Sequence, residues 1–301
     1  MSVLLETNLS LPLFRRGKVR DVYDLGDKLL VVSTDRISAF DVVLPCGIPD
    51  KGKVLNQLSA FWFGKTAHIV LNHLIKAIGD NAILSEVKNL SSYSEELPDY
   101  LVGRSMIVSK AERVPVECVV RGYLAGSAWA EYKETGVVSN IHLPPGMEEG
   151  QELPQPLFTP TTKSETEHDR PLTNQDIESL GIKDLMAKLE EKSLLIYRYA
   201  QDYANSRGII IADTKFEFGL INSELVLIDE LLTPDSSRFW DASQYEVGHS
   251  QPSFDKQPVR DWLLASGWNK DPPAPMLSLE VIEATTQRYN EIYKLLTGKE
   301  L

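Results

Sequence analysis

Cysteine is scarce: Cys46 and Cys118 are the only two in 301 residues, and no zinc-ligand spacing surrounds either. That excludes a disulfide-stapled scaffold and a zinc module, and it suits a reducing cytoplasm. Long hydrophobic runs are missing as well. No stretch approaches the ~18 apolar residues of a membrane span, and Met1 to Leu13 lacks a basic leader followed by a continuous apolar core. The chain therefore reads as soluble and untargeted. Positive charge is in deficit, with 31 Lys and Arg against 43 Asp and Glu and a net charge of -12. Such a field repels polyanions at long range, which disfavours nucleic acid and anionic membranes as partners. Small phosphate ligands stay open wherever a few cations converge in a cleft. A nucleophile triad is absent too: His168 and Asp169 close the run Lys163 to Asp169, but no Ser-His-Asp pattern accompanies them.

What is present describes an ordinary globular chain, 43% apolar and 25% charged, long enough for two lobes around a cleft. Lys18 to Ser33 holds two β-prone runs around a Gly-Asp turn, the pattern of a hairpin. Leu58, Phe61, Trp62 and Ile69 predict a helix over 56–74 that covers the sheet. Strands are expected over 104–110, 116–120 and 209–212. Ser127 reads as the cap of a helix ending at Gly136, Thr173 and Asp176 as a helix start, 183–207 as a long amphipathic helix, and Ser278 as the cap of the last helix. Five prolines between Pro144 and Pro160 predict a long irregular excursion. The class is α+β, a mostly antiparallel sheet with helices packed on it.

The most informative stretch runs from Asp213 to Gly219 and on to Val226–Glu230. Strand alternation puts Asp213, Lys215 and Glu217 on one face and Phe216, Phe218 and Leu220 on the other. An exposed sheet edge accounts for such a charged row, and so does an ionic ligand; the second strand, returning Asp229 and Glu230 to the same region, favours carboxylates around Mg2+ and ATP phosphates. A hairpin joins the two strands. A turn at Asn222–Ser223 would oppose Glu217 to Ile228 and send Asp229 behind Phe216, so a three-residue turn over 222–224, or an equivalent bulge, is expected. Gly17, flanked by Arg15, Arg16, Lys18 and Arg20, lets backbone approach phosphate, although a basic turn is more often a solvated surface. Arg238 in the Thr233–Trp240 turn, and Arg121 with Ser127 around Gly122 and Gly126, are either anion clamps or structural arginines. Ser33 to Asp41 reads first as a self-bonded polar turn.

Together the blocks Arg16–Asp21, Asp35–Asp41, Pro115–Tyr123 with Ala125–Trp129, Lys163–Asp169, Asp213–Gly219 and Asp229–Trp240 resemble the SAICAR synthetase family, and they run in family order. The Phe254–Trp262 block and the length resemble its longer, yeast-like form. The resemblance implies an antiparallel-sheet ATP-binding lobe over residues 1–112, a larger α+β lobe over 113–301, and an active site in the cleft between them. It also implies a distant likeness to kinase and ATP-grasp nucleotide sites.

By this resemblance Arg16, Gly17, Lys18, Val19 and Arg20 cover the phosphates, and the backbone near Lys110 meets adenine. Glu217 and Asp229 are the magnesium-associated acids that complete the ATP site. Asp213, Lys215 and Arg238 surround the reacting carboxylate. Arg121 and Ser127, with Ser38, Asp41, Lys163, Asp169, Asp235, Ser237, Lys256 and Arg260, contact the organic substrates. The implied cofactors are ATP and Mg2+, and the implied substrates are the carboxylated aminoimidazole ribotide (CAIR) and L-aspartate. The implied reaction is amide formation through an acyl phosphate, by a monomeric cytoplasmic ligase. A small-molecule kinase with the same ATP site and a non-catalytic nucleotide sensor are the alternatives.

Overall fold

The computed structural model describes residues 3–79, 97–163 and 170–301. The first hairpin forms where alternation places it: β2 (Arg20–Asp24) and β3 (Lys28–Ser33) pair antiparallel across Gly26, whose φ of 89° suits a residue without Cβ. β1 (Leu13–Arg16), β6 (Leu74–Ala77) and β7 (Ser105–Ser109) extend it into a five-stranded antiparallel sheet in the order β1-β2-β3-β7-β6.

The covering helix, α1, spans Lys51–Thr66 rather than 56–74. Asn72 stops the apolar pattern from continuing as helix. Its side-chain amide donates to the Phe63 carbonyl at 3.2 Å and accepts from the Leu74 N–H at 3.1 Å, a local turn that hands the chain to β6. Ser33–Asp41, read from sequence as a plain turn, carries a strand: β4 (Arg36–Ala39) pairs with β5 (Val42–Gly47) through Phe40 and Asp41, both at positive φ. The apolar side chains of this hairpin, Ile37, Leu44 and Ile48, pack on Val259 and Leu263 of α5 (Gln257–Ala265).

A second sheet is built on two long central strands, β8 (Glu112–Tyr123) and β13 (Ile209–Ile221). β9 (Val137–Val138) and β10 (Ile141–His142) form a small separate hairpin, while β11 (Glu152–Phe158) and β14 (Glu224–Ile228) flank the central pair, with β12 (Thr161–Thr162) on β8 and β15 (Ser237–Asp241) on β13. Pro115, expected to lie outside a strand, sits within β8 where its register with β13 shifts. The proline-rich stretch is likewise more ordered than expected. Pro154 and Pro156 fall on β11, an edge strand with its own register shift, where a missing N–H costs little.

The remaining helices are α2 (Gly126–Thr135), α3 (Asn174–Ser179), α4 (Lys183–Asn205) and α6 (Leu279–Thr297). Thr173 makes the expected capping box with Asp176, and Ser278 caps α6 by accepting from the Val281 N–H. Ser127 does not cap α2. The N-cap is Ala125, without a side-chain bond, and the Ser127 hydroxyl accepts from Arg121 instead.

One core joins the sheets: Val31, Met106 and Val108 of the first and Val116, Phe216 and Phe218 of the second belong to the same buried cluster, with α1, α4 and α6 around them. β7 ends at Ser109 and β8 begins at Glu112, so the chain crosses between the sheets at Lys110–Ala111. Among the described residues no helix is long and apolar enough to cross a membrane.

Candidate active site

Two adjoining cavities open where the sheets face each other. The larger, ≈ 720 Å³, has apolar walls from Val22, Leu29, Val31, Val108 and Ile228, and an ionic end formed by Lys18, Arg20, Glu117, Lys163, Lys215, Glu217, Asp229 and Glu230. The smaller, ≈ 370 Å³, is lined by Arg121, Ser127, Asp213, Ser237, Arg238, Asp255 and Arg260 among others. Lys18, Ser38, Asp41, Lys215, Asp235 and Lys256 line both. An apolar slot ending in charge suits a nucleotide, and a polar hollow with paired guanidiniums suits a second anion.

The charged row on β13 faces this cleft, while Phe216 and Phe218 are fully buried on the other side. The expected three-residue turn does not form. Asn222 and Ser223, both at positive φ, make a two-residue turn, Ile221 opposes Glu224, and Glu217 opposes Ile228. That register matches the right-handed strand twist. Asp229 nevertheless escapes burial behind Phe216, because it lies beyond the end of β14 with φ at 66°, a left-handed residue that breaks the alternation. Glu217 and Asp229 thus line the same cavity.

Their electrostatics differ. Burial, then the Asp229 charge, raises the Glu217 carboxyl above its ordinary range. Burial pushes Asp229 the same way, but Arg20 outweighs it and holds the carboxyl at about 2. Arg20 forks between Asp229 and Glu230, the latter at 2.7 Å. Two hard-oxygen donors on one wall of a nucleotide-sized cavity fit Mg2+, which takes few protein ligands and completes its shell with phosphate and water.

In the smaller cavity β13 runs between β8 and β15, so Arg121 and Arg238 both stand opposite Asp213. Arg238 donates to the Asp213 carboxylate, and Arg121 reaches it at 3.4 Å while also donating to Thr159 at 3.0 Å and Ser127 at 3.3 Å. Two guanidiniums around one carboxylate leave net positive charge for an anion. Ser237 exchanges a hydrogen bond with Thr214 at 2.8 Å. At the junction Asp235 accepts from Lys51 at 2.8 Å and Tyr289 at 2.7 Å, with Lys256 at 3.5 Å. Burial opposes its ionisation, yet Lys256 and Lys51 hold its carboxyl well below the usual range.

Some expected residues lie elsewhere. Arg16 does not line either cavity; its guanidinium is engaged by Glu6, the Thr7 carbonyl and Asp21. The Lys110 ammonium turns to Asp24 at 2.8 Å, and only its backbone neighbours Ser109 and Ala111 line the nucleotide-sized cavity. Asp169 falls outside the described residues. Conversely, three participants were not singled out from sequence. Glu117 binds Lys163 and Lys215, His73 lines the larger cavity, and the fully buried Lys51 anchors Asp235. Glu117 had a local signal, since it alternates with the apolar Val116 and Cys118 as Glu217 does with Phe216 and Phe218. His73 and Lys51 had none.

A family model described as SAICAR synthetase matches residues 13–275. The phosphoribosylaminoimidazole-succinocarboxamide synthase of Thermodesulfovibrio yellowstonii is 52% identical over 302 residues, spanning 99% of both chains. That of Geobacter metallireducens is 48% identical over 301 residues, again 99% of both. Among solved structures, the SAICAR synthase of Saccharomyces cerevisiae complexed with SAICAR superposes with a TM-score of 0.87 at 42% identity, covering 99% of each chain. A SAICAR synthetase in complex with ADP superposes at 0.70 with 28% identity, over 95% of this chain and 98% of that one. A match of this extent, carried by a fold with two antiparallel sheets around an ionic cleft, settles descent: the chain belongs to the SAICAR synthetase family.

Proposed function

We propose that this cleft joins the carboxylate of CAIR to the amine of L-aspartate, with ATP converted to ADP and phosphate, in de novo purine biosynthesis. The observation that carries the proposal is the pair of contiguous cavities sharing Lys18, Lys215 and Lys256, one shaped for a nucleotide and the other for an anion. A nucleotide sensor would need the first cavity alone, a small-molecule kinase would use both but no amine, and whole-chain kinship with ligases favours neither.

In this reading adenine lies between Val22, Leu29, Val31 and Val108, with the Ser109–Ala111 backbone at its rim. Gly17, Lys18, Val19 and Arg20 cover the phosphates. Glu217 and Asp229 hold Mg2+, which when bound would offset phosphate charge and orient the γ-phosphoryl group. Arg121, Arg238, Ser127 and Ser237 take CAIR, Lys215 and Asp213 lie along its reacting carboxylate, and Ser38, Asp41, Lys163, Asp235, Lys256 and Arg260 serve phosphate or aspartate.

A carboxylate oxygen of CAIR attacks the γ-phosphorus, ADP departs, and an acyl phosphate results. The aspartate amine then attacks the acyl carbon, expels phosphate and loses a proton. The protein's work is to position three anionic reactants and neutralise their mutual repulsion, which cationic side chains lining both cavities can do without a protein nucleophile. The proposal also includes a lobe boundary near residues 112/113, a cytoplasmic location and action as a single chain.

Phosphate release measured with ATP, CAIR and aspartate, each omitted in turn, tests the reaction. Turnover requiring all three is expected, and phosphate release independent of aspartate would overturn it.

A further inference from the structure

Glu117 has no part in the assignments above, yet its geometry ties it to both cavity lysines. On β8 it stands directly opposite Glu217 on β13, so the two carboxylates share a face. Like charges opposed across a ladder are destabilising, and here two ammonium groups relieve the pair. Lys163 Nζ lies 2.7 Å from Glu117 Oε1 and also bonds Glu217, while Lys215 Nζ lies 3.1 Å from the same Glu117 oxygen. Glu117 is itself buried, as a counterion to two lysines must be if it is to fix them.

A divalent cation and an ammonium cannot share one carboxylate closely without strong mutual repulsion. Binding of metal at Glu217 therefore requires Lys163 to withdraw from it. The other bond of Lys163, to Glu117, is already made. From this we infer that Glu117 is a positioning residue for the metal-nucleotide complex. It retains Lys163 and Lys215 on one oxygen, so that Glu217 is released to Mg2+ while both ammonium groups stay in the cleft. With Glu117 neutral, Lys163 keeps Glu217 as its only remaining ion-pair partner among the described residues and competes with the cation, while Lys215 is left without its closest counterion. This inference rests on Glu217 being a metal-binding acid; a counterion of purely structural function would leave metal affinity alone.

The test uses the full chain with Mn2+ as probe, free and bound ion being separated by electron paramagnetic resonance in the presence of ADP. Glu117→Gln is expected to weaken ADP-dependent Mn2+ binding by about tenfold or more, the size of one charge-assisted hydrogen bond. Metal-free ADP binding is expected to be no weaker than in the wild type. Glu117→Asp, which keeps the charge and draws it back by a methylene, is expected to fall between the two. In turnover, Glu117→Gln is expected to need more Mg2+ for half-maximal rate. Wild-type Mn2+ affinity in Glu117→Gln would overturn the inference, and so would equal losses in the two variants that track their melting temperatures. If Glu117→Gln does not fold, Glu117→Asp decides alone: weakened Mn2+ binding supports the inference and unchanged binding overturns it. A wild-type chain that binds no Mn2+ with ADP removes the metal site and this inference together, whereas the ligase reading is judged separately by aspartate-dependent phosphate release.

Discussion

Replacing Gly126 by alanine probes how the anion cavity is built. Gly126 opens α2 with φ at 57°, and the Arg238 guanidinium lies against it. An added Cβ would stand 2.3 Å from Arg238 Nη2 and 2.7 Å from Cζ, distances that no packing tolerates. Two separable costs follow. The left-handed backbone penalises any residue with a Cβ by roughly 1 to 2 kcal/mol. The guanidinium must also move, which breaks its ionic hydrogen bond to Asp213 and misplaces its fork for the substrate, worth about 1.5 to 3 kcal/mol. Gly136, at the other end of the helix, isolates the first cost, because its φ is 72° but nothing lies within 4 Å of a Cβ there. Thermal unfolding should therefore show a loss of roughly 1 to 2 kcal/mol in Gly136→Ala and a larger one in Gly126→Ala, by up to about 1.5 to 3 kcal/mol more. Steady-state kinetics should separate them, with KM for CAIR raised about tenfold or more in Gly126→Ala alone and KM for ATP little changed. A wild-type KM for CAIR in Gly126→Ala would refute the argument that Arg238 is held against this glycine to bind substrate.

Lys18→Ala should weaken ATP binding by on the order of 1.5 to 3 kcal/mol with little change in stability, since among the described residues its ammonium meets the exposed Asp41 alone; titration calorimetry with ATP checks this, and unaltered affinity would take the loop out of the phosphate site. Arg238→Lys keeps the charge but loses the planar fork, so activity should fall clearly, and wild-type kinetics with every substrate would make Arg238 a structural residue. Stability should also depend on pH through His73, whose imidazole burial lowers from 6.5 to about 4. The unfolded chain binds that proton first as pH falls, so the contribution is complete above pH 6.5 and is lost towards pH 4, by at most about 3 kcal/mol. His73→Leu should flatten that part of the denaturation profile, and a slope identical to wild type would show that His73 does not titrate differently on folding.

Local pattern was enough for much of this molecule. The alternation of Asp213, Lys215 and Glu217 with Phe216 and Phe218 needs only the two-residue strand period, and the structure shows the aromatic side buried and the charged side in the cleft. The caps at Thr173 and Ser278 are equally local, each a side chain meeting a backbone N–H three residues on. Arg16 turns away from the cavities, and the Lys110 side chain turns away while the backbone beside it stays at the rim, because a cationic side chain near a cleft has several directions open to it. Asp21 and Asp24, brought beside them by the first sheet, chose the outward ones.

By itself, then, the sequence determined the α+β class and the strand that carries the charged row, both of which depend on residue type and short-range periodicity, while the ligands were implied by its resemblance to the SAICAR synthetase family. Tertiary structure decided the rest. It set the two-residue turn at Asn222–Ser223 and the left-handed Asp229 that restores its carboxylate to the cleft. It also placed Glu117 opposite Glu217, and Lys51 and Tyr289 on Asp235, across separations of 184 and 54 residues for the last two. Contacts of that range are fixed by strand register and by how the two sheets share one core, and neither leaves a periodic trace in the chain.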